Sequence, residues 1–229
     1  MRISTGVTGL DRLLDGGLPE RRLYTLSGPP GSGKTTLAAQ YVTDGIRNGD
    51  SVLYVTMHET RNELVEDMAN YEFGFDKAAS TDRFEFLNLT MERSRRRLSG
   101  YGRASGLSAR LAAMIRQEDY DRVVVDSTML LDHFTDDPDT EVTEFATNLK
   151  QTDATVLLVS EMTDPTAYSE EHYLAHGVIF LHNFLEEGGM TRGVQVVKMR
   201  GTNIDCDIRD VAFTGSGLNV DPSRKVKPE

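Results

Sequence analysis

GPPGSGKTT, residues 28–36, decides how the rest of the chain is read. It satisfies G-x-x-x-x-G-K-[ST], it follows a strand-like run (RLYTLS, 22–27), and it opens a helix-like segment. Gly28, Gly31 and Gly33 allow the backbone to curl until successive amides point inward, with Pro29, Pro30, Ser32 and Thr36 completing the run. The helix N-terminus behind it favours anions. Lys34 is placed to meet the outer phosphates of a nucleotide, and the hydroxyl of Thr35 to ligate magnesium.

A phosphate loop needs a second half, an apolar strand ending in a carboxylate. VVVDS supplies it with Asp126, which is expected to hold magnesium through water. Around these two motifs, short β-rich runs at 51–57, 83–89, 122–127 and 154–161 alternate with helix-like segments at 33–47, 61–71, 105–117 and 141–151. Several of the runs are apolar on successive residues, as strands covered on both faces are. From residue 177 onward strands follow one another with only turns between, EEGG (186–189) being the clearest, so antiparallel hairpins are expected there. The expectation is an α/β fold of one domain over 1–221, a largely parallel twisted sheet flanked by helices with antiparallel strands at its C-terminal end. Residues 222–229, PSRKVKPE, read as a polar, frayed tail.

Composition narrows the partners. Acidic residues outnumber basic ones 36 to 25, and only six of the basic residues are lysine. A net charge of −11 opposes non-specific binding to DNA or to anionic membranes. It suits a halophile's cytosol, where the Debye length falls to roughly 3 Å at 1 M salt. Cys206 is alone, so no intramolecular disulfide is expected and a reducing, cytoplasmic setting is the default. No apolar run approaches membrane-spanning length. RSRRR (93–97), with Arg103 and Arg110 nearby, reads as an exposed loop and helix start; the sharper alternatives are a partner subunit's acidic edge or a nucleic-acid contact. His172, His176 and His182 lack a metal-ligand spacing and His133 is isolated, so magnesium is the one metal expected.

Three separated stretches in order, ISTGVTGLDRLLDGGLP (3–19), the phosphate loop, and HGVIFLHNF (176–184) followed by VVKMRGTN (196–203), resemble the KaiC-like branch of the RecA superfamily of ATPases, in a single-domain, archaeal form. The resemblance implies ATP and magnesium as ligands, and rings, often hexamers, with ATP between neighbouring subunits. It makes Lys198 and Arg200 candidate cations for the γ-phosphate of the next subunit's nucleotide, where charge stabilisation accelerates phosphoryl transfer. A structural alternative is a pair of strand-end cations that snorkel. It also places catalytic carboxylates, commonly two adjacent glutamates, at the end of the strand after the phosphate-loop helix.

Here that position reads YVTMHETRN (54–62), with His58 and Glu59. A neutral imidazole accepts a proton but reproduces neither the charge nor the reach of a carboxylate. Glu59 has a structural explanation too, since TRNE (60–63) is a capping box and Glu59 is then the last loop residue before a helix. Glu59 as the water-positioning group, His58 in that role, and neither all stay open. Glu161, ending LLVSE, is either a polar sensor of the γ-phosphate or a strand-end cap, and MTDPTAYSEEHY (162–173) after it reads as an acidic loop.

The leading expectation is an ATP-binding, slowly hydrolysing switch read by protein partners. The alternatives are a non-hydrolysing ATP-binding interaction module, similar to the KaiC-like component of the archaeal motility motor, and a recombinase-like DNA-dependent ATPase. The charge balance carries its own test: the melting temperature is expected to rise as KCl is raised towards molar concentration, and greatest stability in low salt would remove the halophile reading.

Overall fold

A computed structural model of the chain describes residues 1–101, 106–127, 138–186 and 188–227. Arg103, Ser105, His133 and Glu187 lie outside the described residues. The chain begins with β1 (Arg2–Ile3), α1 (Thr8–Leu13) and β2 (Leu18–Pro19), and β1 pairs with β2. The alternating core follows: β3 (Leu23–Gly28), α2 (Lys34–Asn48), β4 (Val52–Thr56), α3 (Arg61–Met68), α4 (Phe75–Ala79), β5 (Phe84–Asn88), α5 (Glu92–Ser99), α6 (Leu107–Glu118), β6 (Arg122–Asp126), α7 (Pro138–Leu149), β7 (Thr155–Glu161) and α8 (Glu170–Leu174). Strands β8 (Gly177–Glu186), β9 (Gly189–Met199), β10 (Arg209–Thr214) and β11 (Gly217–Lys225) close the chain.

One sheet carries the core, in the order β11, β10, β9, β8, β3, β7, β6, β4, β5. Strands from β8 to β5 across the sheet run parallel, and β8 to β11 are antiparallel, as the hairpin-like spacing of the C-terminal runs predicts. The unbroken apolar runs have a physical cause, because successive side chains point to opposite faces and both faces are covered. Tyr24, Leu26, Tyr54, Val124 and Leu157 belong to one buried cluster, while Leu23, Leu53, Val55, Val123 and Val125 belong to the other. Leu37, Ala38, Tyr41 and Val42 of α2 pack into the first. Leu111, Met114 and Ile115 of α6 and Phe145 and Leu149 of α7 pack into the second.

Arg122, at the start of β6, is only 2% exposed and joins four parts of the chain. Its Nε donates to Asp50 Oδ2 at 2.6 Å and Nη2 to Asp44 Oδ2 at 3.1 Å. Nη1 donates to the carbonyls of Ser4 at 2.9 Å and Tyr41 at 3.1 Å, and the guanidinium lies 4.7 Å from the centroid of the Tyr41 ring. Gly45 leaves the space, since a Cβ there would stand 2.7 Å from Arg122 Cδ.

Three segments differ from the sequence reading. RSRRR sits inside α5, a helix whose buried residues are Ser94 and Leu98, one turn apart; so sparse a stripe is invisible to a periodicity search. The supposed acidic loop at 162–173 gains a helical turn, α8, with Glu171 and His172 buried. The polar end is not frayed as far as Lys225: β11 pairs with β10, and the Val226 N–H donates to the Ile208 carbonyl at 2.9 Å. Backbone pairing to a neighbouring strand supplies the order that its side chains do not signal.

Replacing Arg122 with methionine removes the cation but leaves Asp44, Asp50 and two carbonyls without their donor. A loss of about 3–5 kcal/mol is expected in urea unfolding at fixed salt, and a change below about 1 kcal/mol would show that water replaces the guanidinium.

Candidate active site

The parallel register brings the site together. Gly28 stands opposite Glu161, Thr56 opposite Asp126 on one side and Asn88 on the other, all at the C-terminal ends of their strands. There a cleft of about 540 Å³ opens, lined by Pro30, Gly31, Gly33, Lys34, Thr35, Thr36, Thr56, His58, Glu59, Asp126, Ser127, Glu161 and Phe213. All but three of these, Thr56, Ser127 and Phe213, are candidates from the sequence. Ser32 instead turns a buried hydroxyl towards the base of the loop, where a Cβ on Gly28 would stand 2.9 Å from it.

The glycines of the loop are required by both space and conformation. Gly31 and Gly33 have φ of 74° and 102°. A Cβ on Gly28 would stand 2.4 Å from the Leu181 carbonyl oxygen, and one on Gly33 would stand 2.6 Å from Phe213 Cζ. Lys34 Nζ donates to the carbonyls of Gly28 at 2.8 Å and Pro29 at 3.0 Å, so the lysine bridges its own loop. Burial lowers its pKa, opposed by the charges of Glu161 and Asp126.

Asp126 is the most enclosed carboxylate of the cleft. Its Oδ2 accepts from Thr35 Oγ1 at 3.1 Å and from Tyr54 Oη at 2.7 Å, and the peptide linking it to Ser127 is cis. Burial raises its pKa, while the bonds from Tyr54 and Thr35 and the charges of His58 and Lys34 pull the other way. A hydroxyl and a carboxylate oxygen at this separation are hard donors of the kind magnesium takes, with water and phosphate oxygens completing an octahedron. A cation would also relieve the burial of the charge.

His58 and Glu59 leave the end of β4 together and both line the cleft. The capping box is present: Thr60 Oγ1 accepts from the Glu63 N–H, and the Glu63 carboxylate accepts from the Thr60 N–H at 2.7 Å. That box occupies Thr60 and Glu63 and leaves the Glu59 side chain to the cleft. The Glu59 carbonyl accepts from Asn88 Nδ2 at 2.7 Å, which pins the loop to β5. Burial first, then the charges of Asp126, Asp67 and Glu63, push the Glu59 carboxyl up to about 7. His58 is exposed, with its N–H on Thr56 Oγ1 at 3.1 Å and Nε2 3.4 Å from Ser127 Oγ.

Lys198 and Arg200 do not join this cleft. Met199 pairs with Gly177 and Gly177 with Tyr24, which sets them near the N-terminal end of β3 while the phosphate loop leaves its other end. Their side chains hold the end of α8: Lys198 Nζ donates to the carbonyls of His172 at 2.9 Å and Tyr173 at 3.0 Å, and Arg200 Nη2 to Tyr173 at 3.2 Å. Sequence reasoning missed Thr56, Ser127 and Phe213 in the lining, and Tyr54 and Asn88 that support it. Tyr54 read as a strand apolar, no sequence signal singled out Phe213, and Asn88 could have been found as the polar residue ending β5 beside Thr56.

Among the described residues no three His, Cys, Asp or Glu side chains group as metal ligands, and no helix is long and apolar enough to cross a membrane. A family model described as "ATPase: KaiC" matches residues 3–225. The chain is 29% identical over 228 residues to the circadian clock oscillator protein KaiC of Parathermosynechococcus lividus, covering 95% of this chain and 42% of that one. It is likewise 29% identical over 209 residues to the KaiC of Prochlorococcus marinus, covering 88% of this chain and 41% of the relative, so it spans less than half the length of these curated relatives. In structure it superposes on a KaiC-like protein of the hyperthermophilic archaeon Pyrococcus horikoshii with a TM-score of 0.82, covering 97% of this chain and 99% of that one at 24% identity, a likeness of fold. With the family model matched over nearly the whole chain and the fold shared with a KaiC-like protein, the chain belongs to the KaiC ATPase family.

Proposed function

We propose that the protein binds ATP with magnesium, hydrolyses it slowly, and acts as a switch whose nucleotide state is read by protein partners. The observation that carries this reading is the position of Glu59: its carboxyl lines the same cleft as Lys34, Thr35 and Asp126 and is pushed up to about 7. A carboxyl in that range exchanges protons near neutrality, which suits a general base acting on the attacking water. In this scheme Lys34 and the loop amides hold the phosphates, Thr35 and Asp126 hold magnesium, and Tyr54 orients Asp126. Magnesium would supply charge neutralisation on the phosphate oxygens. Glu161 senses the γ-phosphate from the rim.

A homo-oligomeric ring, such as a hexamer, completes the site. Its support is the placement of Lys198 and Arg200, roughly 13 Å from the level of the loop along β3, counted at about 3.3 Å per residue over four residues. Cations so placed cannot serve their own cleft and are available to a neighbour's. A second reading, a non-hydrolysing ATP-binding interaction module, is favoured by His58 standing where a second carboxylate is expected. The recombinase-like reading has the least support, since the net charge is −11 and Arg96 and Arg97 of α5 are paired with Glu92 and Glu85.

Two measurements test the scheme. Because the free-enzyme Glu59 titrates near 7 and works deprotonated, kcat/KM for ATP is expected to rise with pH through a midpoint near 7. Glu59→Gln is expected to flatten that profile and lower the rate at least about 100-fold; an unchanged rate would take Glu59 out of the chemistry. For the trans role, Lys34→Ala and Arg200→Ala proteins are each expected to be nearly inactive, while mixed assemblies recover part of the hydrolysis. Mixtures as inactive as their parents, with assembly intact, would remove trans action.

A further inference from the structure

Two buried ionisable side chains have no part in the scheme so far. Glu171 and His172, in α8, are 6% and 2% exposed. Ser160 Oγ donates to Glu171 Oε1 at 2.9 Å, and Ser160 is the residue before Glu161. Ser27 Oγ lies 2.8 Å from His172 Nε2, and Ser27 is the residue before Gly28. The Ser169 N–H points at Nδ1 from 3.2 Å, so Nδ1 accepts and the proton sits on Nε2, which donates to Ser27. Burial keeps the imidazole neutral by lowering its pKa, against the opposing charge of Glu171.

We propose that Glu171 and His172 are positioning residues for the nucleotide cleft, seating Glu161 and the phosphate loop from beneath. Ser27 and Ser160 face each other across β3 and β7 in the same register as Gly28 and Glu161, so a shift of α8 is felt one residue away by both. The Met162 N–H, bonded to the Gly28 carbonyl at 3.2 Å, ties the two strand ends together.

The other end of α8 supplies the reason for such a device. Its terminal carbonyls are held by Lys198 and Arg200, the two cations proposed for the neighbour's nucleotide, and Tyr173 between them is 61% exposed. A cation drawn to a neighbouring phosphate leaves those carbonyls, and α8 is then freer to move on Ser27 and Ser160. One short helix thereby joins a subunit's own cleft to the occupancy of the next, which is a coupling between two sites through a single element.

This inference rests on the nucleotide-binding reading above. Equilibrium titrations of the full chain with fluorescent N-methylanthraniloyl ATP and ADP, with magnesium, test it without requiring hydrolysis. His172→Ala is expected to weaken both nucleotides about fivefold, because the loop grips phosphates common to both, and His172→Gln, which keeps an N–H near Nε2, to recover most of that loss. Ser160→Ala and Glu171→Gln are expected to leave ADP affinity unchanged and to shift the ATP to ADP affinity ratio about fivefold, through Glu161. Should His172→Ala fail to fold, Ser160→Ala decides, as the smallest change. Folded variants with lower melting temperatures but wild-type affinities for both nucleotides would make the cluster structural and overturn the inference. A wild-type protein that binds neither nucleotide would remove the function proposed above and this inference with it, whereas intact binding indifferent to these residues removes the inference alone.

Discussion

Everything at the cleft depends on one constraint, the in-register parallel pairing of four central strands. Because β3, β7, β6 and β4 run the same way, Thr56 and Asp126 end their strands level with Leu26 and Val159, and Gly28 and Glu161 end theirs two residues further on, so all four carboxyl-terminal ends open on one edge of the sheet. A slip of one residue in any strand would turn its whole apolar set from one face to the other. Here that is prohibitive, since each strand divides its side chains between two separate buried clusters. The chemistry therefore inherits its geometry from hydrophobic burial, and the polar residues are carried to the cleft by strands fixed for other reasons.

The electrostatics of the site follow from that placement. Three carboxylates and one ammonium share a half-enclosed space, and burial disfavours the charged form of Lys34, Asp126 and Glu59 alike. The lysine satisfies itself on its own loop carbonyls and the aspartate on a threonine and a tyrosine hydroxyl. The function proposed above fits these electrostatics, since a phosphate brought to the lysine and a divalent cation brought to the aspartate would each relieve a group that burial strains.

The opposite end of the sheet is equally specialised. Arg122 ties α2, the β6 start and the segment before α1 through buried charge-assisted bonds, while Lys198 and Arg200 cap α8. Buried ion pairs contribute less to net stability than their contact distances suggest, but a missing partner is costly, and this makes such groups good determinants of a unique arrangement. Helix α8 touches both, through Ser27 and Ser160 beneath the cleft and through Lys198 and Arg200 at its other end.

Local chemistry made much of this legible. The phosphate loop is readable because only glycine tolerates its conformations and contacts, and the central strands are readable because double coverage demands unbroken apolar runs. The capping box at Thr60 is readable because its two bonds span only three residues. Segments whose order comes from distant partners were hidden: α5 with its sparse stripe, β11 with its polar face, and α8, whose buried Glu171 and His172 look like surface residues in SEEHYL. Likewise nothing in YVTMHETRN says that Asn88 pins the Glu59 carbonyl or that burial lifts the Glu59 carboxyl. By itself the sequence determined the fold class and the nucleotide loop, through short-range sterics and periodicity. Only the tertiary structure decided which side chains share the cleft, which face away from it and how each is charged, because proximity across strands and loss of water are set by residues far apart in the chain.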